Sequence, residues 1–170
     1  MDAYDLVRME INPVLSKKLG FARMLDAAKE VRLGASSSKV VVSTDPAAIH
    51  RIREGIVGIL FADYSIGGKL LAEISDNDIA LYIAVSPIIS GYGIHRSRQI
   101  FKAASLFDHS EKKGVRVGFV SFAGSPSELC SRIQLLNLAK LISEDDSYAR
   151  RSISETNSLL LKAVEQKNNI

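Results

Sequence analysis

One cysteine, Cys130, and three histidines, His50, His95 and His109, are all that 170 residues hold of the soft and borderline metal ligands. A lone thiol cannot close an intrachain disulfide, so the expected setting is a reducing compartment, the cytoplasm. No His-x-His or His-Glu-x-x-His pattern occurs, and no Cys or His pair has zinc-finger spacing. A metallohydrolase site is therefore not expected, and each histidine reads as a surface or helix-face residue. No run approaches the roughly 18–20 continuous apolar residues that span a bilayer. The opening carries Asp2 and Asp5 where a secretory leader would carry basic residues, so neither secretion nor a membrane partner is expected. Linkers rich in Pro, Gly or Ser, low-complexity tracts and internal repeats are also missing, and the short Ala35–Ser38 run reads as a loop. One domain over residues 1–170 is the expectation.

What is present is an ordinary globular balance, 46% hydrophobic and 24% charged, enough to build one core. The net charge of +3 is unevenly spread: residues 1–80 carry 10 Lys and Arg against 11 Asp and Glu, and residues 81–170 carry 12 against 8. A polyanion would be drawn to the second half.

Short apolar runs alternate with longer amphipathic ones, the βαβα pattern of a mainly parallel sheet covered by helices. Strands are expected at Tyr4–Met9, Phe21–Met24, Lys39–Ser43, Ile56–Ala62, Ile79–Ser86 and Val115–Ser121. Two of them, Ile56–Ala62 and Ile79–Ser86, are apolar nearly throughout, which predicts burial on both faces. Helices are expected from Pro13 to Gly20 and over Pro46–Glu54, Gly68–Ile74, Ile94–Lys113 and Pro126–Ile142, with Glu144–Arg151 and Ser154–Gln166 closing the chain. In the Ile94–Lys113 helix, Ile94, Phe101, Ala104 and Phe107 are expected to face the sheet. Five or six strands fall short of the eight in a full (β/α)8 barrel. The predicted fold is α/β, a reduced or incompletely closed TIM-barrel-like fold.

Parallel α/β folds bind ligands where strands end. Those places hold Ser43, Thr44 and Asp45, then Asp63 and Tyr64, then Ser86, then Ser121. Ser43-Thr44-Asp45-Pro46 reads as a helix cap. The Phe122–Glu128 turn reads either as a phosphate cradle or as a helix start closed by its own cap and acid, without the lysine of a nucleotide loop. Cys130 reads as a small buried residue in a mostly apolar helix. No catalytic residue is assigned. Outside the core pattern stand basic residues: Arg96, Arg98, Lys102, Lys112, Lys113, Arg116, Arg132, Lys140, Arg150 and Arg151. In the segment Ser90–Arg98 (SGYGIHRSR), backbone amides, Tyr92 and two guanidinium forks suit an RNA backbone, and equally a solvated loop leading into a helix.

Ile79–Ser90 (IALYIAVSPIIS), Arg96, Glu111-Lys112, Val115–Ser125 (VRVGFVSFAGS) and Ser152-Ile153-Ser154 together resemble ribonuclease P protein component 3, the family of the thirty-kilodalton subunit of archaeal type. The likeness is collinear over about residues 36–165. It implies a barrel-like scaffold that binds ribonuclease P RNA with ribonuclease P protein component 2 and meets precursor tRNA indirectly. The RNA, with magnesium, performs the 5′ cleavage, and the protein itself binds no cofactor. By position the resemblance marks Arg96, Lys112 and Arg150, with Arg51 and Arg53 near another basic place. Where the family has Arg-x-Pro, this chain has Cys130-Ser131-Arg132, and the loop Asp63–Gly68 is short. Two alternatives stand beside it: a small barrel enzyme acting on a phosphorylated metabolite, with Ser121–Ser125 as phosphate site and Asp45 or Asp63 as base, and a subunit that touches only protein.

Overall fold

The computed structural model describes residues 2–27, 58–61 and 64–165, the side chains of 58–61 and 162–165 excepted. The expected strand at Lys39–Ser43 and the helix at Pro46–Glu54 lie outside the described residues, as do Asp45, His50, Arg51, Arg53 and Asp63.

The chain is mixed α/β. Strands β1 (Tyr4–Val7) and β2 (Arg23–Asp26) pair in parallel, and so do β3 (Gly58–Phe61), β4 (Ala80–Ala84) and β5 (Val117–Val120), in that order. Helix α1 (Pro13–Lys18) links β1 to β2, and α2 (Gly68–Asp76) links β3 to β4. After β4 come α3 (Ser86–Ser90) and α4 (Gly93–Lys112), and after β5 come α5 (Arg132–Ser143), α6 (Asp146–Arg151) and α7 (Asn157–Glu165).

Backbone bonds cross from one sheet to the other beyond the end of β5. Phe122 N–H donates to the Leu6 carbonyl and Arg8 N–H to the Ala123 carbonyl, each at 2.8 Å. Phe122 has φ 51°, and this left-handed residue kinks the chain so that it leaves β4 and runs beside β1. The described strands thus follow one another in the order β2-β1-β5-β4-β3.

Side chains alternate between two cores, as the period of two requires. Val7, Met24, Leu81, Ile83, Val117 and Phe119 pack under the helices with Leu71, Ile74, Leu106, Phe107, Leu135 and Ile142. Leu6, Leu25, Ala80, Tyr82, Ala84 and Val120 form the other core, which Leu160 of α7 joins. All five residues of β4 are buried, as its unbroken apolar run predicts.

Three expectations change. The helix expected over Pro126–Ile142 is broken: Pro126–Glu128 forms a 3-10 turn, and α5 starts afresh because Ser131 and Gln134 make a reciprocal capping box. Ser86–Ser90 is a helix, opened by Pro87, where a strand end and loop were expected. Ile94 and Phe101 do not face the sheet. They are 64% and 75% exposed, and Ala103, Leu106, Phe107 and Ser110 fill the buried side of α4. At about 3.6 residues per turn, Phe101 and Phe107 stand about 120° apart around the axis, too far to share a narrow face.

Asn157, at the start of α7, bridges the two sheets: its amide donates to the Tyr4 carbonyl at 2.9 Å and the Phe119 carbonyl at 2.7 Å. Just before it, Ser152–Thr156 forms a π-helical turn. The Thr156 carbonyl accepts the Tyr82 hydroxyl at 2.6 Å. The C-terminal helix thereby covers the sheet face opposite α4.

Candidate nucleic-acid interface

Among the basic residues expected at an RNA surface, the 20-residue α4 carries four. Its first turn separates two of them. Arg96 lies on the side toward α3, where its Nε donates to the Ile88 and Gly91 carbonyls at 3.1 and 2.8 Å and its Nη2 to the Ile89 carbonyl at 3.2 Å. The guanidinium satisfies the carbonyls at the C-terminus of α3, groups that a helix end leaves without intrahelical partners. Gly91 permits the approach, since a Cβ there would lie 2.9 Å from the Pro87 oxygen. Arg96 therefore ties α3 to α4, and its fork is already engaged.

Arg98 is two residues on, so it projects on the opposite side of the helix. Lys102, Ser105 and His109 follow at four, seven and eleven residues and form one outward stripe with it, flanked by Ile94, His95 and Phe101. Among the described residues, neither Arg98 nor Lys102 has an ion-pair or hydrogen-bond partner. Phe101 lies beside them at 75% exposure, and Tyr92, 78% exposed, stands at the start of the helix in an edge-type contact with His95, 6.3 Å between centroids.

Beside this stripe opens a cleft of about 290 Å³. One wall is the segment leading into α2, with Tyr64, Ile66 and Gly68. Tyr64 is held there by its hydroxyl, which donates to the Ala84 carbonyl at the end of β4. The other wall is α4, with Phe101, Lys102, Ser105 and His109. His109 Nδ1 is 2.6 Å from the Ser105 carbonyl, which makes Nδ1 the protonated nitrogen and leaves Nε2 toward the surroundings. No carboxylate is among the described residues lining the cleft.

The remaining basic residues expected at the RNA are dispersed. Lys112 pairs with Asp108 at 2.7 Å, one turn away. At about 1.5 Å per residue it stands about 21 Å along the axis from Arg98. Arg116 is held by the Asp78 carboxylate at 2.9 Å and the Asp78 carbonyl at 3.0 Å. Arg150 pairs with Asp146 at 2.7 Å, which holds the Asp146 carboxyl below its ordinary range, and Arg151 lies over the Tyr148 ring, 5.9 Å from its centroid. Arg132, the first residue of α5, sits against Gly20 and has no ion-pair partner among the described residues. So the structure brings Arg98 and Lys102 together, engages Arg96, Lys112, Arg116 and Arg150 internally, and sets Arg132 apart.

Polar residues at the strand ends are also committed. Ser121 is buried and donates its hydroxyl to Asp5 at 2.5 Å, while its N–H donates to the same carboxylate at 2.7 Å. Burial raises the Asp5 carboxyl to about 6 against these bonds. Cys130 is buried, and burial, with the Asp5 charge second, pushes its thiol well above the usual range. In the Phe122–Glu128 turn, Gly124 N–H donates to the chain's own Glu128 carboxylate at 2.7 Å, and Arg8 lies 3.8 Å from that carboxylate. The amide that would greet a phosphate is thus occupied from within by the acid of the turn, while Ser125 makes no side-chain cap bond and its hydroxyl lies 3.0 Å from that of Ser127. Among the described residues, no group of three or more His, Cys, Asp or Glu is placed to hold a metal ion, and no helix is long and apolar enough to cross a membrane.

Sequence reasoning missed Phe101 as a surface group, and expected His109 on a helix face without placing it beside Arg98 and Lys102. The signal was available in the spacing Arg98, Phe101, Lys102, Ser105, His109, which repeats at three and four residues. No protein-family model matches this chain, and no curated protein matches it.

Proposed function

We propose that this chain is a protein subunit of ribonuclease P, assisting a catalytic RNA in 5′ maturation of precursor tRNA by binding that RNA together with ribonuclease P protein component 2. The reading starts from the collinear resemblance to protein component 3. The observation that carries it furthest is the outward stripe of α4, where Arg98 and Lys102, without partners among the described residues, stand beside the exposed ring of Phe101. Cations without internal partners attract phosphates, and an exposed ring offers a face to a base. On this reading Arg51, Arg53 and Arg132 extend the RNA surface, and magnesium belongs to the RNA. On this reading the scaffold is a reduced or incompletely closed TIM-barrel-like fold, which is supported by the backbone bonds that set β1 beside the chain just past β5, as neighbouring first and last strands are in barrels.

Filter binding tests the proposal. The purified chain, with and without component 2, is titrated with ribonuclease P RNA, and the magnesium needed for precursor tRNA cleavage is measured in parallel. Submicromolar binding that weakens with salt, or a lowered magnesium requirement, is the expected result. An RNA that is neither bound nor assisted by the protein pair ends the assignment.

A further inference from the structure

The cleft beside Phe101 bears on the form of RNA that this surface takes. A duplex offers phosphates and shape to a protein but keeps its bases stacked, whereas loops and ends offer bases that can splay out onto aromatic side chains. A surface built only for a duplex needs cations and has no use for an exposed ring. Here Phe101 is three-quarters exposed beside two cations that have no partner among the described residues, in a helix whose other aromatic residue, Phe107, is buried. Next to the ring the surface is concave, about 290 Å³, near the bottom of the roughly 300–1,000 Å³ range of small-molecule clefts and so on the scale of one planar group. Its walls carry hydrogen-bonding groups at the rim, Lys102, Ser105 and His109, and apolar surface from Ile66 and Leu106.

We infer that this cleft receives one unstacked base of a single-stranded RNA segment, with Phe101 as its stacking platform and Arg98 and Lys102 on the adjoining phosphates. The inference rests on the RNA-binding reading and narrows it from RNA in general to a loop or single-stranded end.

The test uses the full chain, alone and with component 2, and three fluorescently labelled probes: a single-stranded RNA dodecamer, the same sequence as a duplex, and ribonuclease P RNA. Phe101 is exposed, so Phe101→Ala is expected to fold, and a thermal melt matching wild type verifies it. Phe101→Ala should weaken single-strand binding roughly five- to hundredfold, leaving duplex binding and the salt slope unchanged, while Phe101→Tyr restores affinity. Arg98→Ala with Lys102→Ala should instead flatten the single-strand salt slope by about 1.4, near 0.7 for each phosphate that is no longer neutralised. If wild type binds ribonuclease P RNA and Phe101→Ala binds every probe equally well, base stacking is wrong and the RNA reading stands. If Phe101→Ala loses component 2 and keeps RNA, the face docks protein and the inference fails. If wild type binds no RNA in either setting, both readings fail together.

Discussion

The carboxylate of Asp5 on β1 accepts both the N–H and the hydroxyl of Ser121, beyond β5, at 2.7 and 2.5 Å, and so fastens the first described strand to the last. The same carboxylate accepts the Leu6 N–H at 2.9 Å. Burial outweighs these bonds and raises its pKa from 3.8 to about 6. A raised acid binds its proton more tightly in the folded state, so the contribution is fully present below pH 3.8 and is lost as pH rises through about 6. The interval is worth on the order of 3 kcal/mol. Asn keeps an acceptor for both amides and a donor for Ser121 while removing the buried charge. Asp5→Asn should therefore flatten the stability profile between pH 4 and 6 and raise stability at pH 8, measured by urea unfolding. Asp5→Ala, which strands two amides, should destabilise by roughly 2–5 kcal/mol.

Arg96 and Arg98 should separate cleanly. Removing Arg96 leaves the Ile88, Ile89 and Gly91 carbonyls short of a donor, and Arg96→Ala is expected to cost about 1–2 kcal/mol in urea unfolding. Arg96→Lys should recover only part of that, because an ammonium cannot reproduce the planar fork. Neither change should alter the salt slope of RNA binding. Arg98→Ala should leave stability within about 0.5 kcal/mol and flatten the slope by about 0.7. The opposite pattern would place Arg96 on the RNA.

Much of this layout is legible in the sequence because its causes are local. The apolar run of β4, the Pro13 start of α1 and the long α4 each follow from patterning or capping that one segment contains. What escapes depends on neighbours. Arg96 and Arg98 look alike in sequence, and only the packing of α3 against α4 decides which one finds backbone carbonyls to bond. Glu128 reads as an N-terminal acid, yet whether its carboxylate or a phosphate meets the Gly124 amide is settled by three-dimensional reach. The β1–β5 seam joins residues more than a hundred positions apart, and no periodicity encodes such a pairing. Arg51 and Arg53 remain sequence expectations alone.

Gly118 on β5 should tolerate no side chain. A Cβ there would lie 2.6 Å from Tyr82 Cε1 and 2.8 Å from Asn157 Oδ1, two groups that anchor the C-terminal helix to the sheet. Gly118→Ala is expected to cost roughly 1–3 kcal/mol by overpacking. Because the clash falls on Tyr82 and Asn157, α7 should loosen first, and limited proteolysis should cut within residues 157–165 before the sheet is lost. Tyr82→Phe removes only the bond to the Thr156 carbonyl and should cost about 1 kcal/mol, with cleavage there rising less.

The Gly124–Glu128 hydrogen bond supplies the test that separates an RNA scaffold from a metabolite enzyme. Glu128 accepts from the Gly124 amide at 2.7 Å, and Arg8 stands over the Phe122 ring at 4.8 Å while facing the same carboxylate. A phosphate entering this turn must displace a tethered anion already beside its only neighbouring guanidinium among the described residues. Wild type should accordingly show no rise in Tm with millimolar glycerol 3-phosphate or inorganic phosphate. Glu128→Gln keeps an acceptor for the Gly124 amide and gives up only the exposed pairing with Arg8, so its stability should stay within about 1 kcal/mol of wild type. Glu128→Ala frees both the amide and Arg8 and should be less stable than Glu128→Gln by about 1 kcal/mol. A clear, saturable Tm increase in wild type would mean that the carboxylate yields to phosphate, and would move the assignment to the metabolite enzyme.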